Sequence, residues 1–297
     1  MAGKFRLKMA TQLGEKVAAE AGFTTFPIDP RKIARDKDIR IEAKPSDVKG
    51  VSGALIVVGD AATIIYSTEY RNEGFENFSI AHELGHYFLP GHREEILANG
   101  GAHFSRADFT QGAISIEMEA DHFASGLLLP SALTTKFLSR QQVGLAGILK
   151  LADEARCSRT AAAIRASECA SYPIAIIVSK DDQVAYAFMS PSFKQLGDML
   201  AFLRKGSPLP DTATRAFNAD PGNVLQAKEY CDRTTLYDWF DGSRKVALDE
   251  EIVGLGSYGY TLTVLSSEDL PDNPEDDDEE DEEELKDRWT PRFAYGR

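Results

Sequence analysis

The chain has 297 residues, 43% of them hydrophobic, and a formal net charge of −14. That length accommodates two modest domains, and no apolar run approaches the ~18 residues that cross a bilayer. The charge is concentrated: residues 268–285 hold 13 acids and no base, so −14 + 13 leaves −1 for the rest, and bulk charge identifies no nucleic-acid or membrane partner.

The opening "MAGKFRLKMATQLGEKVAAEAG" reads as an amphipathic helix with charges throughout. It lacks the apolar core and cleavage site of a signal peptide, so a cytoplasmic protein is expected. A second helix is expected before residue 36, started by Asp29 as N-cap and Pro30 at the first helical position. Residues 39–43, 52–58 and 63–67 alternate or cluster β-branched residues, and Gly59-Asp60 reads as a hairpin turn. A small antiparallel sheet is therefore expected here, with 52–58 a candidate edge for an extended peptide.

The next segment, "FSIAHELGHYFLPGH", carries the chemistry. A helix beginning near Asn77 or Ser79 and stopping at Pro90 sets His82 and His86 about 40° apart and one turn apart. Both imidazoles then reach one ion, and Glu83 beside them can hold the ion's water. This is the H-E-x-x-H pattern on a helix. Two His ligands leave zinc short of a third protein ligand and an open water position. A polar, Gly-containing connection over residues 93–113 separates this helix from the next.

That next helix, "SIEMEADHFASGLLL", ends at Pro130. Its periodicity turns Glu117 inward and Glu119 and His122 toward solvent, which selects Glu117 as the third ligand. Asp121, one turn on, suits an acceptor for a ligand histidine's free N–H. His92 and His103 read as surface or packing residues. His103 has an added claim as a transition-state donor because it lies in the loop between the metal helices. With these parts the expected reaction is hydrolysis of a peptide bond, with Glu83 as general base.

Beyond Pro130 a helical pair follows, "VGLAGILKLADEARC" and "SRTAAAIRASECA". The second is alanine-rich; Arg159 and Arg165 are its candidates for phosphate contacts, against a packing role for the helix. After Pro173, "IAIIVS" and "QVAYAFM" read as strands around a "KDDQ" turn, "SFKQLGDMLAFLRKG" as a helix and "YGYTLTVLS" as a late strand. Cys157, Cys169 and Cys231 are odd in number and form no C-x-x-C pair, so free thiols are expected. The acidic run repels itself and is expected to be disordered.

The segments "GVSGALIVV", "IIYS", "FSIAHELGHYFLPGH" and "IEMEADHFASGLLLP", in that order, resemble the ImmA/IrrE family of zinc metallopeptidases. The later "CSRTAAAIRASECASYPIAIIVS" and "YGYTLTVL" are similar to its long, IrrE-like members. The resemblance implies an α+β chain: a zincin-like metallopeptidase domain (1–135), a helix-turn-helix-like segment (136–171) and a GAF-like α/β sensor domain (172–268), followed by the acidic tail (269–297). It implies His82, His86 and Glu117 as ligands of Zn2+, with Mn2+ the second candidate, and Glu83 as catalytic base. It also implies the substrate, a helix-turn-helix (Xre-like) repressor whose cleavage switches on stress, DNA-damage or mobile-element genes. Single-stranded DNA or another small activator is the candidate trigger, and no membrane partner is implied. The reading from a different class is a non-catalytic DNA-binding regulator with a structural metal site.

Overall fold

The computed structural model describes residues 2–44, 51–69, 72–106, 116–196, 200–241 and 246–267. The acidic tail lies outside the described residues. The chain divides into two compact units, Met1–Leu133 with Ala152–Ala161, and Thr134–Leu151 with the chain from Ala162. Together they carry two sheets and many helices, a mixed α+β architecture.

The first unit opens with α1 (Ala2–Glu20) and α2 (Pro30–Asp36). Asp29 caps α2 by accepting from the backbone N–H of Arg31, with Pro30 leading the helix. Strands β1 (Arg40–Ala43), β2 (Val51–Val58) and β3 (Ala61–Tyr66) follow. The two-residue turn Gly59-Asp60 joins β2 to β3 in an antiparallel pair, with Gly59 at φ 60°. Then come α3 (Glu73–Phe88), α4 (His92–Ala98), β4 (Ala102–Arg106) and α5 (Ile116–Leu128).

Four expectations change here. The sheet is mixed, in the order β1-β3-β2-β4, with β1 parallel to β3. Strand β2 is therefore internal, flanked by β3 and β4, and offers no edge to a peptide; β4 ends the sheet. The stretch expected as a plain connection forms α4 and β4 instead. "AHFSR" has little strand character of its own and becomes a strand by pairing with β2, His103 opposite Leu55. Helix α3 also begins earlier than its apolar period suggests. Asn72 caps it through the Phe75 N–H, and Glu73 and Glu76 in its first turn suit the helix dipole.

Helix α5 is covered on two sides, by α1 and by α3. Small residues set both approaches. A Cβ on Gly85 of α3 would lie 3.0 Å from Ala120 Cα of α5. A Cβ on Gly126 of α5 would collide with the carbonyl oxygen of Thr11 on α1, and one on Gly14 with that of Phe123. Because α1 occupies the far side, Glu119 and His122 are only 4% and 7% exposed. The expectation that they face solvent fails for this reason: a helical period identifies one buried face and is silent about a second.

Next along the chain come α6 (Ser131–Leu138), α7 (Leu145–Ala155) and α8 (Arg159–Cys169), the last two forming the expected helical pair, and then the strands of the second unit. Its sheet is antiparallel throughout, in the order β6-β5-β9-β8-β7. The strands are β5 (Ile174–Lys180), β6 (Gln183–Met189), β7 (Glu229–Thr235), β8 (Ala247–Gly254) and β9 (Thr261–Ser266). Short helices α9 (Pro191–Lys194), α10 (Ala213–Asn218), α11 (Pro221–Leu225) and α12 (Leu236–Phe240) connect them. Ile177, Phe193, Trp239, Phe240, Leu248 and Leu265 form the core on one face. Of the helix expected over 192–206, α9 takes residues 192–194, and none of the residues 200–206 is helical. Their backbone is used elsewhere: Ala201 N–H donates to Phe240 O at 2.8 Å and Gly206 N–H to Val184 O at 2.8 Å. None of the three cysteines, all among the described residues, forms a disulfide.

Candidate metal centre

Helix α3 presents His82 and His86 one turn apart, and α5 brings Glu117 to them. The closest ring nitrogens of the two histidines, both Nε2, are 3.2 Å apart. Glu117 Oε2 lies 3.3 Å from His82 Nε2, and Glu117 Oε1 lies 3.5 Å from His86 Nε2. One donor atom from each of His82, His86 and Glu117 falls within 4.8 Å of the others. The Gly85–Ala120 contact between the two helices is what allows this convergence.

Each donor is held from behind. Asp121 Oδ1 lies 2.8 Å from His82 Nδ1. His92 Nδ1 lies 3.1 Å from His86 Nδ1. His103, on β4 rather than in a loop, accepts or donates at 2.7 Å through Nε2 to Glu117 Oε1, and a carboxylate there makes it the donor.

Glu83 is fully buried beside them. Ser105 Oγ of β4 donates to its Oε1 at 2.6 Å, and Ser52 Oγ of β2 donates to the Ser105 carbonyl at 3.1 Å. A Cβ on Gly53 would lie 2.5 Å from Glu83 Oε1, so glycine at that strand position leaves the carboxylate its space. Glu83 Oε2 is buried with no hydrogen-bond partner among the described residues.

The electrostatics separate these groups. Burial pushes Glu83 up to about 7, against the charge of His82 and the Ser105 hydrogen bond. Burial also opposes ionisation of Glu117, but hydrogen bonds from His103 and His82 outweigh it and hold that carboxyl far below the usual range. Burial disfavours a charged His82; Asp121 and Glu117 overcome it and raise the group. His86 is lowered by burial and by the charge of His82. Burial raises Asp121 despite its bond to His82.

The donor set suits a cation. Two imidazole nitrogens with facing lone pairs at 3.2 Å repel unless a proton or a metal lies between them. Two nitrogens and one carboxylate form the three-donor set of a catalytic zinc site, which keeps a further position open. Glu83, next in sequence to His82, adds a buried acceptor in its unpartnered Oε2.

Residues 34–167, from α2 to α8, match the family model of the IrrE N-terminal-like domain, peptidase M78. That stretch of the chain is similar to the IrrE N-terminal-like domain. The matched model is that of a peptidase family, and the candidate centre lies within the matched residues. A solved structure described as a Mycobacterium tuberculosis transcriptional regulator shares the fold at a TM-score of 0.56, with 15% identity over 87% of this chain and 76% of that one. No curated protein matches the chain.

Several residues of the candidate centre were not legible in the sequence. His92, expected at the surface or in packing, is 1% exposed and touches His86. Glu119 is drawn in by Arg6 of α1 at 2.9 Å. Ser105 and Gly53 reach Glu83 only through the β2–β4 pairing. The signal available for His92 was Pro90-Gly91, a chain reversal directly after the HELGH helix. In α8, Arg165 is 5% exposed and pairs with Glu168 at 2.6 Å, so it is not presented to a phosphate backbone. Among the described residues no helix is long and apolar enough to cross a membrane.

Proposed function

We propose that this protein is a zinc-dependent endopeptidase that cuts a helix-turn-helix (Xre-like) repressor and so releases stress, DNA-damage or mobile-element genes. The observation that carries the reading is the buried, unpartnered Glu83 Oε2 beside three converging metal donors. A purely structural metal site needs no such acceptor and usually closes with four protein ligands.

His82, His86 and Glu117 would hold the metal, with manganese the alternative to zinc. Bound there, the ion supplies a Lewis acid for the scissile carbonyl and lowers the pKa of water. Glu83 Oε2 accepts a proton from the attacking water and returns it to the leaving amine, while Ser105 keeps Oε1 fixed. A value near 7 suits both halves of that transfer. Asp121 accepts from His82 Nδ1–H and so directs the Nε2 lone pair to the centre. His103 is the candidate donor to the developing oxyanion; its Nε2 now lies on Glu117 Oε1. An extended substrate would run along β4, the terminal strand that carries His103 and Ser105.

In this reading residues 1–135 are a zincin-like metallopeptidase domain, 136–171 a helix-turn-helix-like segment and 172–268 a GAF-like sensor domain. Single-stranded DNA or another small activator is its candidate signal, and the protein works in the cytoplasm. The competing reading is a DNA-binding regulator with a structural metal, in keeping with the description of the Mycobacterium tuberculosis neighbour. The burial of Thr160 and of residues 162–167 in α8 speaks against that helix reading a groove. Incubating the zinc-loaded protein with a helix-turn-helix repressor encoded beside its gene tests the choice. A single cut, abolished by chelator and restored by zinc, is expected; an uncut repressor together with retardation of the repressor's operator DNA by this protein favours the competitor.

A further inference from the structure

His86 is tied to the protein surface by a chain of polar groups that the peptidase reading does not use. His92 Nδ1 lies 3.1 Å from His86 Nδ1. His92 Nε2 lies 3.4 Å from Glu119 Oε2. Arg6 Nη2 meets both Glu119 oxygens, at 2.9 Å and 3.1 Å. His92 and Glu119 are buried, whereas the Arg6 side chain is half-exposed on α1.

The chemistry fixes every proton along this chain. A carboxylate held by arginine can only accept, so His92 Nε2 must donate to Glu119. A neutral His92 then has only a lone pair at Nδ1, so His86 Nδ1 must donate to it. His86 Nε2 is left as a lone pair, and it is the atom that faces His82 and Glu117. We propose that His92 is a positioning residue for the metal: backed by Glu119 and Arg6, it selects the tautomer and ring orientation of His86 that the ion requires. The two ligand histidines would then be oriented differently, His82 by the Asp121 carboxylate directly and His86 by a carboxylate acting through a second imidazole.

The backbone is built for this contact. Gly91 has φ 89°, a left-handed conformation that strains any residue with a Cβ. It turns the chain between α3 and α4, and His92 opens α4 with its N–H on Leu89 O at 3.3 Å. The side chain is thereby returned to the helix that carries His86. A role in packing alone would be met by any ring of similar size; a role in orientation needs an acceptor at the Nδ1 position.

The inference rests on the proposed metal centre, so the test reads metal binding rather than cleavage. Zinc affinity is measured by chelator competition for the full chain and for His92→Phe and His92→Asn. Phenylalanine fills the space without an acceptor, and asparagine sets Oδ1 where Nδ1 was. Affinity is expected to fall about 10–100-fold in His92→Phe and to be largely restored in His92→Asn. Long-range proton–nitrogen spectra of the zinc-free wild type should show His86 protonated at Nδ1 and not at Nε2, a signature that packing does not control. Equal zinc affinity in His92→Phe, or His86 protonated at Nε2 alone, overturns the positioning role and leaves the metal centre standing. Failure of the wild type to bind zinc at all overturns both.

Discussion

Ser105 of β4 donates a 2.6 Å hydrogen bond to Oε1 of Glu83 on α3, so the strand that ends the sheet fixes the carboxylate of the candidate general base. That bond favours the ionised form, against burial that raises the group to about 7. A hydrogen bond to a charged group contributes ~1.5–3 kcal/mol. In Ser105→Ala the carboxyl rises further, and a base protonated at higher pH is lost at higher pH. The acid limb of the kcat/KM profile should therefore move upward, with activity falling roughly 10–100-fold on the acid side and far less on the alkaline side. A pH–rate profile that superimposes on the wild type would show that the bond does not tune Glu83.

Gly126 sits where α5 meets the backbone of α1, and an added Cβ collides with Thr11 O. In a helix interior Gly→Ala gains about 1 kcal/mol of propensity. Overpacking a rigid contact costs about 1–3 kcal/mol, and the atoms met here are backbone. Gly126→Ala is thus expected to lower the stability, read as a lower midpoint in denaturant. A raised midpoint would mean that α1 does not pack this closely.

In the second unit, Glu251 of β8 accepts from the N–H of Leu145 at 2.8 Å, at the start of α7. Burial raises its carboxyl above the ordinary value, more than the Leu145 bond lowers it. The folded state therefore holds this proton more tightly than the unfolded chain. The contribution is fully present below the unfolded value and is lost as pH rises through the folded one. Glu251→Gln keeps an acceptor for Leu145 and has no proton to lose, so its stability relative to wild type should improve as pH rises through that interval. Denaturant midpoints across the interval check it; a difference independent of pH contradicts it.

The parts of the centre legible in the sequence are those that one helix fixes by itself. His82, Glu83 and His86 follow from spacing on a single turn, and the Glu117–Asp121 stripe from another. What escaped depends on contacts between elements. Glu119 and His122 are buried because α1 lies across the second face of α5, which no period in α5 records. Gly53 and Ser105 become neighbours of Glu83 through strand pairing, and β4 itself exists by pairing with β2. In the second unit, β7 was missed because five of its seven residues face solvent and show no alternation. The long helix read after β6 was lost because its backbone groups bond to Phe240 and Val184 instead.

The central claim is that His82, His86 and Glu117 hold a metal while Glu83 moves the proton. It is tested most directly in one preparation of Glu83→Gln assayed for both zinc content and repressor cleavage. Gln keeps the size of the side chain but cannot take a proton, and loss of a general base costs about 10²–10⁴-fold. The expected result is one zinc per chain, as in the wild type, with no detectable cleavage of a repressor that the wild type cuts. Full cleavage by zinc-loaded Glu83→Gln would contradict the account.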